Sequence, residues 1–266
     1  MARSVFIDFD GTFSARGQVP PAHVDAVRQA RRAGHRVFLC TGRPRALMPP
    51  FFLDCFFDGI VCAAGGYVEI DGEVLADVRY PLELARKTAS LLIENDATFT
   101  LEAPDALSTT PASKERLSGF FEHVHSDGIV DLVVTEVNTS EDVGPFSKAT
   151  VMHSPIEVAT LVEQLGPDIG VVPNSVMGGS VYGGELYLKG ITKASGIAIV
   201  EKHLGLDRAD IIGIGDGMND LEMIDYAGIG VAVEGAPDDV LAVAQYVIPG
   251  PSSNGIAQGF AELGLI

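Results

Sequence analysis

A short apolar run that ends in charge constrains this chain more than any other stretch: Val5-Phe6-Ile7-Asp8-Phe9-Asp10, followed at once by Gly11-Thr12. In an extended segment, successive side chains point to opposite faces. Asp8 and Asp10 are therefore expected on one face and Phe9 on the other. Two carboxylates so placed repel, and one is driven to stay protonated unless a cation lies between them. A divalent metal resolves that conflict. A solvated strand end entering an Asp-Gly turn would leave the same trace, so the rest of the chain has to decide.

Strand and helix signals alternate downstream. Pro20 to Ala33 reads as a helix with Val24, Val27 and Ala30 on one side and Gly34 as its stop. Arg36 to Cys40 reads as a buried strand ending in Thr41-Gly42-Arg43. A helix is expected over Arg45 to Phe52 and a third strand over Gly59 to Ala63. This order implies a parallel sheet with right-handed crossovers. Tyr67 to Ile70 and Glu73 to Val78 then read as a hairpin, with Asp71-Gly72 as its turn.

From 81 to 187 the pattern changes to amphipathic helices mixed with strands. Leu84, Thr88, Leu91 and Leu92 form one helical stripe; Val158, Leu161, Val162 and Leu165 form another. Strands are expected at Thr98 to Leu101, Asp131 to Val137, Lys148 to Met152, Gly170 to Pro173 and Glu185 to Leu188. The parallel pattern returns with a helix from Lys193 to Leu204 and a strand from Asp210 to Ile214. That strand ends in Gly215-Asp216-Gly217-Met218-Asn219-Asp220. A further strand covers Gly228 to Val233, and helices lie near Asp238 to Ala244 and Asn254 to Leu263. The fold class is α/β. A Rossmann-like, doubly wound parallel sheet core (1–80 and 188–266) is interrupted by an inserted α+β cap domain (81–187).

Composition narrows the partners. A chain of 266 residues, 47% hydrophobic with a net charge of −18, can build a sizeable core but offers no basic face to nucleic acid. It also suits an anionic membrane surface poorly, and an anionic substrate would need local cations to overcome the overall field. The apolar stretch at 51–66 is broken by Asp54 and Asp58, so no membrane span is expected. Cys40, Cys55 and Cys62 lack metal-type spacing, and no signal peptide is read at the N-terminus. A reduced, cytoplasmic protein is expected. Oligomeric state is not legible.

In an open parallel sheet, ligands bind beyond the carboxyl ends of the strands. Four polar clusters fall there: Asp8/Asp10, Thr41-Gly42-Arg43, Lys193, and Asp216/Asn219/Asp220. Carboxylates, a hydroxyl, Gly-flanked amides and an ammonium together suit Mg²⁺ and a phosphoryl group. Gly213-x-Gly215-x-Gly217 fails as a dinucleotide fingerprint. Its third glycine comes one residue early, Asp216 would face the pyrophosphate, and it is not on the first βα unit.

In motif order and in the position of the long insertion, the chain resembles the haloacid dehalogenase superfamily of phosphatases, and within it the Cof-type sugar-phosphatase branch with a large α/β (C2B-like) cap. That resemblance implies that Asp8 is the nucleophile and Asp10 the general acid and base. Asp8, the Asp10 backbone carbonyl and Asp216 would hold Mg²⁺, with Asp220 a water-mediated ligand. Thr41, the Gly42 amide, Lys193 and Asn219 would hold the phosphoryl oxygens, and Arg43 would contact substrate. A small phosphorylated metabolite is the expected partner. The alternatives are a sugar phosphomutase and a non-catalytic phosphometabolite-binding regulator. Two departures from the branch are Ala64-Gly65-Gly66 in place of Asn-Gly-Ala, and Ala194 in place of Gly after the lysine. His123 and His125, in the expected cap, read as surface residues, as does Lys189.

Overall fold

The computed structural model describes residues 2–48, 56–126, 132–172 and 180–266, with only the backbone described over 123–126. The chain forms two compact units: Met1–Arg43, Pro50–Ala76 and Thr192–Ile266 in one, Pro44–Pro49 and Asp77–Ile191 in the other.

The first unit begins with β1 (Ser4–Ile7), α1 (Pro21–Arg32), β2 (Arg36–Cys40), β3 (Gly59–Cys62), β4 (Tyr67–Ile70) and β5 (Glu73–Asp77). The second unit contains α2 (Leu82–Glu94), β6 (Thr98–Glu102), β7 (Leu107–Thr109), α3 (Pro111–Arg116), α4 (Ser118–Ser126) and β8 (Val134–Glu136). It continues with β9 (Lys148–His153), α5 (Val158–Leu165), β10 (Ile169–Val172) and β11 (Gly184–Leu188). The first unit resumes with α6 (Lys193–Leu204), β12 (Ile211–Gly215), α7 (Leu221–Tyr226), β13 (Ile229–Val233), α8 (Asp238–Val243), β14 (Tyr246–Ile248) and α9 (Gly255–Glu262).

The first unit's sheet runs β14-β13-β12-β1-β2-β3-β4-β5. It is parallel from β14 to β3, and β4 pairs antiparallel with β3. Strands such as Val5-Phe6-Ile7 and Val37-Phe38-Leu39-Cys40 are buried on both faces, which is why they read as unbroken apolar runs. Phe6 and Phe38 stack at 4.8 Å, and Ile197, Val200 and Met223 from α6 and α7 close over them. The chain turns from β1 to β2 on one side and reaches β12 on the other, so the strand order reverses at β1. A crevice opens at the carboxyl ends of strands at such a point. The β4–β5 turn has φ of 51° at Asp71 and 78° at Gly72, as a two-residue turn that follows the sheet's twist requires.

The second unit's sheet runs β10-β11-β9-β6-β7-β8 and is antiparallel apart from β7–β8. Phe99, Leu101, Ala149, Val151 and Leu186 join Val158, Leu161, Val162 and Leu165 of α5 in one apolar core. On α2 the buried positions are Ala85, Thr88, Ala89 and Leu92, while Leu84 and Leu91 pack at the rim. Thr88 and Leu92 of the expected stripe are thus buried, and the buried face is rotated towards Ala85 and Ala89. The helix expected over Arg45 to Phe52 is only a single 3₁₀ turn at Arg45–Leu47, closed by extended backbone at Met48; residues 49–55, with Cys55, lie outside the described residues. The strand expected at Asp131 to Val137 is shorter, with Val134–Glu136 paired to β7. β7 and β14, three residues each, carry too little pattern to be read from sequence.

Candidate active site

β1 stops at Ile7, but the Asp8 amide still donates to the Ile214 carbonyl at 2.9 Å, fixing the residue to the tip of β12. The chain then folds back. The Phe13 amide reaches the Asp8 and Phe9 carbonyls, both at 3.1 Å, and the Ser14 amide donates to Phe9 at 2.8 Å. Gly11 sits at φ +89°, and a β-carbon there would lie 2.3 Å from an Asp216 carboxylate oxygen. This position therefore takes only glycine. The Thr12 hydroxyl donates to Asp216 Oδ1 at 2.6 Å.

Because the chain leaves the extended form at Phe9, the two acids of the opening motif do not face each other. Asp8 is 5% exposed. The Asp10 side chain is 51% exposed and accepts both arms of Arg43, from Nε at 2.7 Å and Nη2 at 2.6 Å. The Arg43 guanidinium also lies over the Phe9 ring, 4.8 Å from its centroid. The expected repulsion between Asp8 and Asp10 across a shared face is thus replaced by an ion pair at Asp10. The anions that crowd Asp8 come from β12 instead.

Carboxylate oxygens of Asp8, Asp216 and Asp220 all lie within 4.8 Å of one another. Asp220 is held by its own loop: Oδ2 accepts from the Asp216 amide at 3.0 Å and the Gly217 amide at 2.9 Å. Lys193, fully buried at the first position of α6, donates to both Asp8 Oδ1 and Asp220 Oδ1. Thr192 caps that helix, with the Ser195 amide donating to its hydroxyl at 3.3 Å and the Ser195 hydroxyl accepting from the Thr192 amide at 3.0 Å. Two glycines seat the helix. A β-carbon on Gly65 would lie 1.9 Å from the Thr192 carbonyl oxygen, and one on Gly196 would lie 2.5 Å from Val61 Cγ1.

Burial, then Asp220 and Asp216, pushes the Asp8 pKa well up against the pull of Lys193. Burial and Asp220 likewise raise Asp216, although the Thr12 hydroxyl opposes this. Burial works against the charge on Lys193, but Asp220 and Asp8 outweigh it and hold the ammonium above its ordinary pKa. Three carboxylates thus meet one ammonium in a nearly dry place. The surplus of negative charge and the all-oxygen donor set fit a hard dication such as Mg²⁺.

Thr41 is buried; its amide donates to Val61 at 2.8 Å, and its hydroxyl accepts from the Arg43 amide at 3.1 Å. A β-carbon on Gly42 would lie 3.5 Å from Asn219 Nδ2, so the loops after β2 and β12 adjoin. Every residue of the four expected clusters thus lies at the carboxyl ends of β1, β2 and β12 or at the start of α6. They form an acid–lysine centre, the Asp10–Arg43 pair, and the Thr41–Gly42–Asn219 group. Lys189 is exposed, while the side chains of His123 and His125 lie outside the described residues. The sequence reading missed Thr12 and the Gly65–Gly196 seat. Thr12 stood inside the quoted motif, and a close backbone approach leaves only a glycine as its trace.

Among the described residues, no helix is long and apolar enough to cross a membrane. A family model described as haloacid dehalogenase-like hydrolase matches residues 5–260. The chain is 25% identical over 272 residues to YkrA of Bacillus subtilis, whose name marks it as a candidate phosphatase, covering 100% of this chain and 99% of that one. It is 26% identical over 263 residues to the phosphoglycolate phosphatase of Methanoculleus marisnigri, covering 98% and 95%. In fold it is similar to the sugar phosphatase BT4131 of HAD subclass IIB, with a TM-score of 0.81, 23% identity and full coverage of both chains.

Proposed function

Because this chain belongs to the haloacid dehalogenase-like hydrolases, we propose that it is a Mg²⁺-dependent phosphatase that hydrolyses small phosphate monoesters, sugar phosphates foremost, through a phosphorylated aspartate. The observation that carries this reading is the clustering of buried Asp8 and Asp220 with half-buried Asp216, the Lys193 ammonium paired to the first two. A site that only recognised an anion would not gather three carboxylates where the anion must sit.

In this reading Asp8 Oδ attacks phosphorus and the bond to the ester oxygen breaks. The departing alkoxide takes a proton from Asp10. Asp10 then takes a proton from water, whose oxygen attacks the aspartyl-phosphate, releasing inorganic phosphate and restoring the Asp8 carboxylate. Asp10 starts this cycle clamped by Arg43. Arg43 must exchange that carboxylate for an anionic group of the substrate before Asp10 can turn inward. Lys193 sits against Asp8, where its charge offsets that of an arriving phosphoryl oxygen, and Thr41, the Gly42 amide and Asn219 hold the other oxygens. Asp8, Asp216 and the Asp10 carbonyl would hold Mg²⁺, with Asp220 behind them. The ion supplies neutralisation of the charge brought together by nucleophile and phosphate. Residues 81–187 are the cap domain of the family plan.

The test is turnover of an aryl phosphate and a panel of sugar phosphates, with and without Mg²⁺. Metal-dependent release of inorganic phosphate is expected, and Asp8→Asn should abolish it while leaving the fold intact. An active Asp8→Asn protein would refute the nucleophile, and conversion of a sugar phosphate to its isomer without free phosphate would make the enzyme a mutase.

A further inference from the structure

His23 is a buried, hydrogen-bonded group that the chemistry above leaves unused. It lies in the first turn of α1, is wholly inaccessible to solvent, and has a partner on each ring nitrogen. The Ile256 amide, near the start of α9, points at Nε2 from 3.3 Å. The Phe13 carbonyl oxygen lies 2.9 Å from Nδ1. An amide can only donate, so Nε2 is bare, and the proton on Nδ1 is donated to Phe13. One neutral tautomer satisfies both contacts.

The Phe13 carbonyl belongs to the loop that carries the nucleophile. The same residue's amide donates back to the Asp8 carbonyl at 3.1 Å, and its neighbour Thr12 holds Asp216. A continuous line of hydrogen bonds therefore runs from α9 through His23 and Phe13 to the backbone of Asp8. The Phe13 ring is wedged between the imidazole, 5.8 Å away, and Phe57, 5.2 Å away. Thr12 on Asp216 and Arg43 on Asp10 tie the loop to the ends of β12 and β2; His23 ties it from the other side, to α1 and α9.

We propose that His23 is a positioning residue: by pulling on the Phe13 carbonyl it sets where the Asp8 carboxylate and the Thr12 hydroxyl stand relative to Asp216. This rests on the phosphatase reading for its consequence, though not for its geometry. A histidine that merely filled the core would affect stability and leave the turnover of folded molecules alone.

Two amide variants separate these roles. Asparagine places its NH₂ near the position of Nδ1, so His23→Asn keeps the donor to Phe13 and loses the acceptor for Ile256. Glutamine reaches the position of Nε2, so His23→Gln keeps the acceptor and loses the donor. Both give up one of the two hydrogen bonds. Measured on an aryl phosphate at saturating Mg²⁺ and corrected for folded fraction, His23→Gln should lower kcat by about 10- to 100-fold, the scale of a misplacement near 1 Å. KM should change much less, and His23→Asn should recover most of the loss. Equal kcat in both variants and the wild type, with only the melting temperature moved, would overturn the proposal, as would an equal loss in both. Hydrogen exchange of the segment 8–14 gives an independent readout. It should be faster in His23→Gln than in His23→Asn, and equal rates would overturn the tie to the loop. If the wild-type protein hydrolyses no phosphate ester, the phosphatase reading falls, while the exchange comparison still decides what His23 holds.

Discussion

Replacing Lys193 by methionine tests the electrostatics of the centre most directly. The side chain keeps its length as far as Cε and loses the ammonium, with its charge and donors. Asp8 and Asp220, 5% and 1% exposed, then face each other and Asp216 without a counter-charge. Breaking a buried pair by removing one partner costs about 3–5 kcal/mol, because the stranded charge cannot regain its hydration. A domain holds only about 5–15 kcal/mol in total, so the loss is a large fraction of stability. At about 2–4 °C per kcal/mol for chains of 150–250 residues, the melting temperature should fall by about 6–20 °C. The assay is thermal and urea unfolding at neutral pH in chelator, so that no dication substitutes for the ammonium. Adding Asp220→Asn to Lys193→Met should restore part of the loss, giving a coupling of about 0.5–3 kcal/mol in a double-mutant cycle. Acidification should also narrow the gap between variant and wild type, since protonated carboxylates no longer repel. A Lys193→Met protein that unfolds at the wild-type temperature in chelator would refute the reasoning, because it would mean that the carboxylates are not charged together in the folded state.

Three further outcomes are expected. Gly65→Ala must push a methyl group into the Thr192 carbonyl, 1.9 Å away, at φ +107°; it should unseat the start of α6 and lower both melting temperature and turnover. Mg²⁺ should raise the wild-type melting temperature, by about 2.7 kcal/mol of stabilisation at a hundred times its dissociation constant, and Asp216→Asn should erase most of that shift. Burial lowers the His23 pKa in the folded protein despite the Phe13 carbonyl. The unfolded chain therefore binds a proton that the folded chain resists. This contribution to stability is complete above the unfolded value of about 6.5 and is lost as pH falls through the lowered folded pKa. Urea titrations across that window should show a shallower slope in His23→Gln; an unchanged slope would place the pH dependence elsewhere, the half-buried His35, whose pKa is also lowered by burial, being the next candidate for it.

What could be read from sequence was set by how local its cause is. Asp8, Thr41 and Asp216 follow strands so apolar that their ends were plain, and parallel order alone brings such ends together. The fate of Asp10 was not legible. Period-two reasoning put it beside Asp8, but hydrogen bonds from Phe13 and Ser14 turn the chain one residue too soon for that rule to hold. His23 gave no signal at all, because its partners are backbone groups that carry no sequence identity. Gly65 and Gly196 were visible only as glycines; the carbonyl and the methyl that exclude any larger residue come from segments far along the chain. On α2, Ala85 and Ala89 occupy the buried face that the larger leucines were expected to fill.

The place of β1 between β2 and β12 has a consequence during synthesis. Its first partner leaves the ribosome a few dozen residues after it, but its second emerges only once the whole intervening unit has been made. Until then the nascent polypeptide carries an open, apolar strand edge, the kind of surface that attracts other unfinished chains. Asp8 has neither Lys193 nor Asp216 and Asp220 beside it in that interval, so the acid–lysine centre is assembled only after the stretch of synthesis in which the chain is most exposed to aggregation.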